Sequence, residues 1–238
     1  MIELKRNSLY KLTINAKRVG LLDRLLFTQF NSFLGNKPWG MKSKMGHTIL
    51  IDLNQSDEEI LQGCKSNTRN EIRRAIREDF FFEKVESHEE FLRFFNSFAE
   101  EKGIDTITEA QLKQYGDGLV LYKSGKGNVT MTMHASAIDK DEKLALLLYS
   151  ASVRLTEGID KKDVGFSNRF LHYKEFLAFK EQGLVTYDFN GISIDPEDKE
   201  RYSISQFKAG FGGKQTDVLW LMSYPFVFVS RIKVLFNK

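Results

Sequence analysis

The feature that most constrains the fold is an apolar run, a helical stretch and a second apolar run between residues 144 and 191. Residues 144–155 are apolar enough for a buried strand. Residues 168–182 repeat apolar side chains at helical spacing, and Gly183 is placed to end that helix. Residues 184–189 are rich in strand-forming side chains. A strand, a helix and a strand form a crossover unit, which predicts two parallel neighbouring strands with the helix packed across them.

The residues that follow the second of these strands are candidates for a binding site. Open α/β sheets bind ligands at the carboxyl ends of their parallel strands. Asp188, Asn190 and Gly191 occupy this place in the sequence. We add Asn168 and Tyr173, which lie on the predicted crossover helix, to the candidate substrate- and donor-binding residues.

Three segments of this region resemble the C-terminal half of the FemABX group. They are Phe-Leu-His-Tyr at 170–173, Tyr-Asp-Phe-Asn-Gly at 187–191 and Gln-Phe-Lys-Ala-Gly-Phe-Gly at 206–212. Members of this group are peptidoglycan bridge-forming aminoacyltransferases built on the GNAT acyltransferase fold. The resemblance implies an α/β fold with a GNAT-like mixed sheet, flanked by helices and containing a central parallel strand pair. It also implies that Lys208 lies at the substrate site.

Acyl transfer gives these residues candidate roles. The reaction passes through a tetrahedral intermediate whose oxyanion must be stabilised. Lys208 precedes a glycine-rich turn and can supply positive charge, and Phe207 beside it is a candidate binding residue. Asp188 either orients the attacking group and accepts its proton, or is structural and caps loop amides. Lys208 and Asp188 are therefore the predicted catalytic residues.

An arginine-rich helix is predicted from Ser66 onwards. Arg73 and Arg77 are four residues apart and share one face, while Ile72 and Ile76 are expected to face the core. The arginine face either binds phosphate or pyrophosphate, or is a solvated face with intrahelical ion pairs. The FemABX group carries an arginine-rich helix at this place, so we predict that Arg73 and Arg77 bind the donor.

The acyl donor is left open by the sequence. Acetyl-CoA-dependent GNAT enzymes hold pyrophosphate on the backbone amides of a glycine-rich loop, and residues 162–167 match that loop only in part. The FemABX group lacks the loop because it uses aminoacyl-tRNA. Acyl-CoA, an acyl-carrier protein and aminoacyl-tRNA all stay candidates, and no tightly bound cofactor is predicted. No metal site is predicted either, because the four histidines lack metal-ligand spacing and Cys64 is the single cysteine.

The length of 238 residues allows one large domain with a small appendage. We predict an N-terminal segment of uncertain structure over residues 1–47 and a GNAT/FemABX-like acyltransferase domain over residues 48–238. The resemblance covers residues 48–216, which is room for one of the two GNAT-like halves of the bridge-forming enzymes. That departure puts both tRNA use and the peptidoglycan substrate in doubt.

Four further elements are predicted from local patterns. Residues 21–33 are apolar enough for a short helix, residues 39–46 form a basic loop, and residues 226–236 form a strand. Residues 129–138 alternate between apolar and polar side chains, which predicts a half-buried antiparallel strand. His134 lies on its polar face, either as a hydrogen-bonded structural histidine or as a catalytic base.

Composition and charge exclude some classes of protein. With 42% hydrophobic and 28% charged residues, the chain has the composition of a soluble globular protein. The net charge of +3 only slightly favours an anionic partner. There is no signal peptide at the start, and no apolar run reaches the roughly 20 residues of a spanning helix. We therefore predict a cytoplasmic protein, including a place at the inner face of the membrane.

The predicted function is that of an acyltransferase, an enzyme of the EC 2.3 class. It transfers an aminoacyl or acyl group to an amine of a cell-envelope precursor, such as a peptidoglycan or polysaccharide sugar or peptide. The predicted partners are a small-molecule or lipid-linked precursor and aminoacyl-tRNA, with at most peripheral membrane contact and no DNA. The alternatives are a non-catalytic binding module with the GNAT fold and an acetyl-CoA-dependent N-acetyltransferase.

Overall fold

The computed structural model describes residues 1–5, 10–154, 156 and 158–236. Contacts divide the chain into two compact units, Met1–Thr48 with Thr216–Lys238 and Ile49–Gln215. The candidate site lies within the second unit. Within the described residues, no helix combines the length and the apolar character that crossing a membrane requires.

The first unit contains four paired strands and two helices. Its strands are β1 (Ile2–Lys5), β2 (Tyr10–Ile14), β3 (Phe27–Phe33) and β10 (Lys214–Ser223), and its helices are α1 (Leu21–Leu25) and α8 (Tyr224–Phe236). β2 pairs antiparallel with β1 and parallel with β3, and β3 pairs antiparallel with β10.

Three local predictions for this unit are wrong. Residues 21–33 are not one helix, because the helix ends at Leu25. The residues that follow favour a strand, and in β3 buried and partly buried side chains alternate. Most of the predicted loop 39–46 belongs to a strand that begins at Met41. Residues 226–236 are helical rather than extended. The Ser223 hydroxyl accepts a hydrogen bond from the Phe226 N–H at 3.3 Å, which caps the helix start.

The second unit is a mixed sheet covered by helices. Its strands are β4 (Met41–Asp52, which begins in the first unit), β5 (Phe81–Lys84), β6 (Leu119–Lys126), β7 (Val129–Asp139), β8 (Leu144–Ser152) and β9 (Thr186–Asp188). They lie in the order β4, β9, β8, β7, β6, β5. β8 and β9 are parallel, and the other neighbours are antiparallel. The predicted α/β class, with a central parallel pair, is confirmed. Leu155, the predicted end of the first strand, lies outside the described residues.

The helices of this unit carry most of the candidate site. They are α2 (Asp57–Gly63), α3 (Ser66–Arg77), α4 (His88–Lys102), α5 (Glu109–Lys113), α6 (Lys161–Glu181) and α7 (Lys199–Ala209). The crossover helix α6 packs on β6, β7 and β8 and against α3. Its aromatic side chains, Phe176 and Phe179 among them, join Tyr187 and Phe189 in the main core.

α6 begins earlier than residue 168, the start that periodicity predicts. The Asp160 side chain accepts a hydrogen bond from the Lys162 N–H at 2.8 Å and caps the helix there. The stretch 162–167, which partly matches a phosphate-binding loop, therefore forms the first turns of the helix. The later amides of this stretch bond within the helix, so the stretch does not form the glycine-rich phosphate-binding loop.

Two burial predictions also need correction. The polar face of β7 is covered by α6, so that Thr132, His134 and Ser136 are each 0% exposed. On α3, Ile72 is buried as predicted, but Ile76 is 48% exposed. The helix turns Thr68, Ile72 and Ala75 inward, one residue away from the predicted stripe. The buried polar side chains of β7 must find partners inside the protein.

Candidate functional site

Hydrogen bonds hold the carboxyl end of β9 and join it to the middle of β8. The Asp188 carboxylate is buried and accepts a hydrogen bond from the Asn190 N–H at 2.7 Å. Asn190 has a left-handed backbone, with φ of 60°. Its side-chain nitrogen, Nδ2, donates a hydrogen bond to the Leu147 carbonyl oxygen at 3.1 Å. Its side-chain oxygen, Oδ1, accepts a hydrogen bond from the Gly191 N–H at 2.8 Å. Asp188 therefore caps a loop amide, which is the structural alternative for this residue.

Lys208 lies in the last turn of α7 and completes this strand-end structure. Its ammonium group donates to the carbonyl oxygens of Phe189 at 2.8 Å, Gly191 at 2.9 Å and Asn190 at 3.4 Å. Burial lowers the pKa of Lys208 to about 8, although the Asp188 carboxylate acts in the opposite direction. The ammonium group of Lys208, which was predicted to stabilise an oxyanion, is thus hydrogen-bonded to three carbonyl oxygens.

The lowered pKa of Lys208 gives a test by pH. Because the folded value is about 8 and the ordinary value 10.5, the folded protein binds fewer protons than the unfolded chain between these pH values. The free energy of unfolding of the wild type, relative to Lys208→Met, should therefore rise as the pH increases from 8 to 10.5. Urea denaturation across this range measures it. A difference between the two proteins that is independent of pH would contradict the burial of this charge.

A cavity of about 850 Å³ opens between α4, α6, α7 and β8, a size typical of small-molecule sites. Three predicted site residues, Asn168, Phe207 and Lys208, line it. Lys102 and Glu200 also line it and form an ion pair at 2.9 Å that joins α4 to α7. The structure thus brings together part of the predicted site.

The other predicted binding residues lie elsewhere. Asp188, Asn190 and Gly191 contribute to the strand-end structure next to Lys208. Tyr173 belongs to the core, where its hydroxyl donates to the Asp57 carbonyl oxygen at 3.5 Å. A role for Tyr173 in binding the donor therefore does not fit its position.

His172 also lines the cavity and connects it to a buried polar network. The Tyr187 hydroxyl donates to Glu175 Oε2 at 3.2 Å, and His172 Nδ1 lies 3.2 Å from the Tyr187 oxygen. Because the tyrosine proton points to Glu175, His172 Nδ1 must carry a proton and donate to the tyrosine oxygen. The second ring nitrogen of His172, Nε2, is then a hydrogen-bond acceptor on the side of the ring away from the network.

His134 joins the same network from β7. Its Nδ1 donates to Glu175 Oε2 at 2.9 Å, and its Nε2 lies 3.2 Å from the Asn168 side-chain oxygen. The rings of His134 and His172 lie 4.2 Å apart. Asn168 and His172 line the cavity, so the network meets its wall at two points.

Charge in this network is asymmetric. Burial and, to a smaller extent, the neighbouring His134 lower the pKa of His172 to about 3, although Glu175 acts in the opposite direction, so the His172 imidazole is neutral at pH 7. Burial alone raises the pKa of Glu175, but His134 and its hydrogen bond outweigh this effect and bring the pKa to about 2. The cavity wall therefore presents a neutral imidazole backed by a carboxylate, which is a hydrogen-bond acceptor and, at a pKa of about 3, a weak base.

These side chains are also the group of possible metal ligands found among the described residues. The donor atoms of His134, His172 and Glu175 lie within 4.8 Å of one another. His134 and Glu175 already hydrogen-bond to each other at 2.9 Å, and the phenol of Tyr187 takes a further place beside them. The contacts describe a hydrogen-bonded network, and we assign no metal to it.

A basic groove of about 640 Å³ adjoins the cavity and shares Arg154, Gly165 and Arg169 with it. Its other cationic side chains are Arg74, Arg77, Lys161 and Lys162. Glu71 is the acidic residue of the lining, and it pairs with Arg169 at 3.0 Å. Arg74 also pairs with Glu78 at 2.6 Å, outside the lining. Six cations against these two carboxylates still give the groove a net positive charge, which is complementary to an anion such as phosphate.

The groove is lined by a different face of α3 from the predicted one. Arg77 lines it as predicted, together with Arg74. Arg73 instead lies 3.6 Å from Glu58 on α2, so its predicted role with the donor does not fit its position. Arg69 donates to the Gln62 carbonyl oxygen at 2.8 Å and holds the end of α2.

Sequence reasoning missed His172, Glu175 and Tyr187. His172 and Glu175 are three residues apart on α6, within a stretch whose aromatic residues indicate the core. Two polar residues inside a buried stripe are a signal, since buried polar groups need partners. The polar face of β7 supplies one of those partners, His134, but the sequence does not show that it lies opposite α6.

Comparison with known proteins identifies the fold of the chain but does not assign it to a family. No family model matches the chain, and no curated protein is significantly similar to it. A crystal structure of FemX is 12% identical with a TM-score of 0.69, over 91% of this chain and 82% of that one. A C-terminal domain assigned to a lysylphosphatidylglycerol synthetase from Agrobacterium fabrum is 12% identical with a TM-score of 0.62, over 92% and 79% of the chains. L-PGS from Bacillus licheniformis is 10% identical with a TM-score of 0.59, over 96% and 84%. The implied FemABX-like fold is confirmed.

Proposed function

We propose that this protein is an acyltransferase that moves an aminoacyl or acyl group from a phosphate-bearing donor to an amine of a cell-envelope precursor. The observation that carries the proposal is the basic groove that shares Arg154 and Arg169 with a cavity lined by His172. A transferase of this kind needs an anion site for its donor beside a group that activates the acceptor. The fold shared with FemX supports the same class of reaction.

The groove fits each of the three donors that the sequence leaves open. Acyl-CoA, an acyl-carrier protein with its phosphopantetheine arm and aminoacyl-tRNA all carry phosphate groups on the part that delivers the acyl carbonyl. The phosphate is assigned to the cationic side chains that line the groove, because residues 162–167 are helical and do not form the amide loop. Arginine suits this task, since its planar guanidinium binds phosphate with two hydrogen bonds.

The cavity supplies the acid–base chemistry. The acceptor amine attacks the acyl carbonyl and forms a C–N bond, and collapse of the tetrahedral intermediate breaks the bond between the acyl carbon and the sulfur or oxygen of the donor. His172 Nε2 accepts the proton that the amine loses, the Glu175 carboxylate stabilises the imidazolium, and this proton then passes to the departing thiolate or alkoxide. Glu175 lies 3.5 Å from His172 Nδ1 and shares the phenol of Tyr187 with it. We assign to Asn168, which lines the cavity, the role of orienting the acceptor amine.

Lys208 is again assigned to stabilising the oxyanion, although in this structure its ammonium group donates to carbonyl oxygens. Its ammonium charge lies in the cavity wall, and its contact of 3.4 Å with the Asn190 carbonyl oxygen is the longest of three. We propose that an oxyanion takes the place of this contact in the transition state. Asp188 then acts as a positioning residue that shapes the loop which Lys208 holds.

Replacing both Arg74 and Arg77 with alanine tests the groove. Both side chains line it and both are exposed, so the double variant should keep its melting temperature while donor affinity falls by about tenfold or more. Isothermal titration with coenzyme A, the phosphopantetheine arm and a tRNA acceptor-stem mimic measures the affinity.

The matched control removes two exposed cations of other helices, Arg93 and Lys113, which pair with Glu89 and Glu109. This variant should bind as the wild type does. An equal loss of affinity in the control would show that only overall charge matters. Arg154 is unsuitable as a control, because it lines both the groove and the cavity.

The alternatives make different predictions for a transfer assay. A binding module would bind the donor at the groove and form no product. An acetyl-CoA-dependent N-acetyltransferase would form an acetylated amine with acetyl-CoA and use neither of the other donors. Product analysis by mass spectrometry with a peptide amine and an amino sugar as acceptors separates these outcomes. Turnover of none of the three donors would overturn the proposed function.

A further inference from the structure

An exposed apolar surface lies in the first unit, away from the residues of the cavity. Leu21, Leu22, Leu25 and Leu26 are 65%, 68%, 64% and 56% exposed, and Trp39 is 74% exposed. Arg24 lies over the Trp39 ring at 4.3 Å, which places α1 beside the loop that carries the tryptophan. We call these four leucines and Trp39 the leucine surface.

Nothing within α1 accounts for this exposure. The helix has five residues, and none of them is buried. A helix of this length is not stable alone in water, and each leucine left in solvent forgoes the free energy that burial would provide. Contiguous exposed apolar side chains rimmed by polar groups are typical of binding surfaces.

The residues around the leucine surface indicate what it binds. Arg24 is on α1 itself, and Lys37 and Lys42 lie two residues before and three residues after Trp39. Both lysines are exposed. Exposed leucines with an arginine on the same helix, and a tryptophan with exposed lysines two residues before and three residues after it in the sequence, match an interface between acyl chains and anionic headgroups.

We propose that the leucine surface is a membrane-docking site that inserts Leu21, Leu22, Leu25, Leu26 and Trp39 into the surface of an anionic bilayer. The contact is peripheral. It concerns residues 21–42 and does not depend on the acyltransferase proposed above, whose residues all belong to the second unit.

Vesicle sedimentation tests the proposal. The full chain should bind vesicles that contain phosphatidylglycerol and phosphatidylcholine, and should bind vesicles of phosphatidylcholine alone at least about tenfold more weakly. The double variant Leu22→Asp/Leu25→Asp should lose binding by about tenfold or more. Lys37→Gln/Lys42→Gln should reduce the preference for the anionic vesicles. The matched control, Ile76→Asp/Ile104→Asp, changes two exposed residues of the second unit, 48% and 45% exposed, and should bind as the wild type does.

Tryptophan fluorescence gives an independent readout. The chain has two tryptophans, so in a Trp220→Phe variant Trp39 is the one reporter. Its emission should shift to the blue when anionic vesicles are added. Absence of vesicle binding, equal binding to both lipid mixtures, or equal loss in the control variant would overturn the proposal. So would a dimer in sedimentation velocity that the aspartate variant abolishes, because a second copy would then be the occupant.

Discussion

Replacing His172 with glutamine is expected to lower kcat/KM for acyl transfer by about 10²–10⁴-fold, the range that loss of a general base causes. Glutamine keeps a hydrogen-bonding side chain in the same space, but it cannot take the proton of the acceptor amine. His172 is 2% exposed, and its Nδ1 already faces Tyr187 and Glu175, so Nε2 is the nitrogen available to the substrate. Steady-state kinetics with the donor identified by the transfer assay measure the effect.

Two comparisons separate catalysis from folding in this test. Donor affinity should be unchanged in His172→Gln, because the groove to which we assign the donor phosphate is lined by Arg74, Arg77 and Arg169 and not by His172. His47→Gln, which changes a histidine of the first unit that pairs with Asp217, should keep full activity. If His172→Gln folds, binds donor and transfers the acyl group at the wild-type rate, His172 is not the base.

Replacing Glu175 with alanine is expected to have the largest effect on stability. Its carboxylate is 0% exposed and accepts hydrogen bonds from His134 and Tyr187. Removing one partner of a buried charged pair typically costs about 3–5 kcal/mol, since the groups left behind are buried without partners. Urea denaturation should show a decrease of this size. Glu89→Ala, which breaks the exposed pair with Arg93, serves as a control and should cost about 1 kcal/mol or less.

Glu175→Gln distinguishes the role of the charge from that of the packing. Glutamine fills the same volume and still accepts a hydrogen bond, so it should lose less stability than alanine. It cannot stabilise an imidazolium on His172, so kcat should fall while KM for the donor stays the same. A Glu175→Gln variant with unchanged kcat would restrict Glu175 to a structural role.

The same carboxylate predicts the response to acid. The pKa of Glu175 is about 2 in the folded protein and 4.5 ordinarily. A group whose pKa is lowered on folding stabilises the protein above the unfolded value, and this stabilisation is lost as the pH falls from 4.5 towards 2. The wild type should lose more stability than Glu175→Gln across this window. Equal acid sensitivity would contradict the buried ionised carboxylate.

The crossover unit could be predicted from the sequence because its information is local. Helical spacing in α6, a glycine at its end and strand formers on both sides are all visible in residues 144–191, and the parallel pairing of β8 with β9 follows. The C-terminal helix could not be predicted in this way. A short apolar run such as 226–236 fits a buried strand as well as a helix, and the cap that decides it comes from Ser223.

The candidate site was predictable only in part, for a similar reason. Lys208 and Phe207 were predicted from a motif and Asn168 from its place on the crossover helix, and all three line one cavity. The network of His134 and Glu175 joins residues 41 positions apart, and no spacing rule relates them. The arginine face was assigned one residue away from its true position because the packing of α3 on α6, rather than periodicity alone, decides which side chains face the groove.

A transfer assay tests the central claim most directly, namely that the basic groove and the His172 cavity form one acyl-transfer site. The wild-type protein is incubated with a labelled acyl-CoA, an acyl-carrier thioester or an aminoacyl-tRNA, each with an amine acceptor, and the amide product is measured by mass spectrometry. The account predicts that one donor class gives product, that Arg74→Ala/Arg77→Ala weakens the apparent donor affinity, and that His172→Gln abolishes nearly all turnover. Amide formation that neither variant changes, or no amide from any of the three donors, would contradict it.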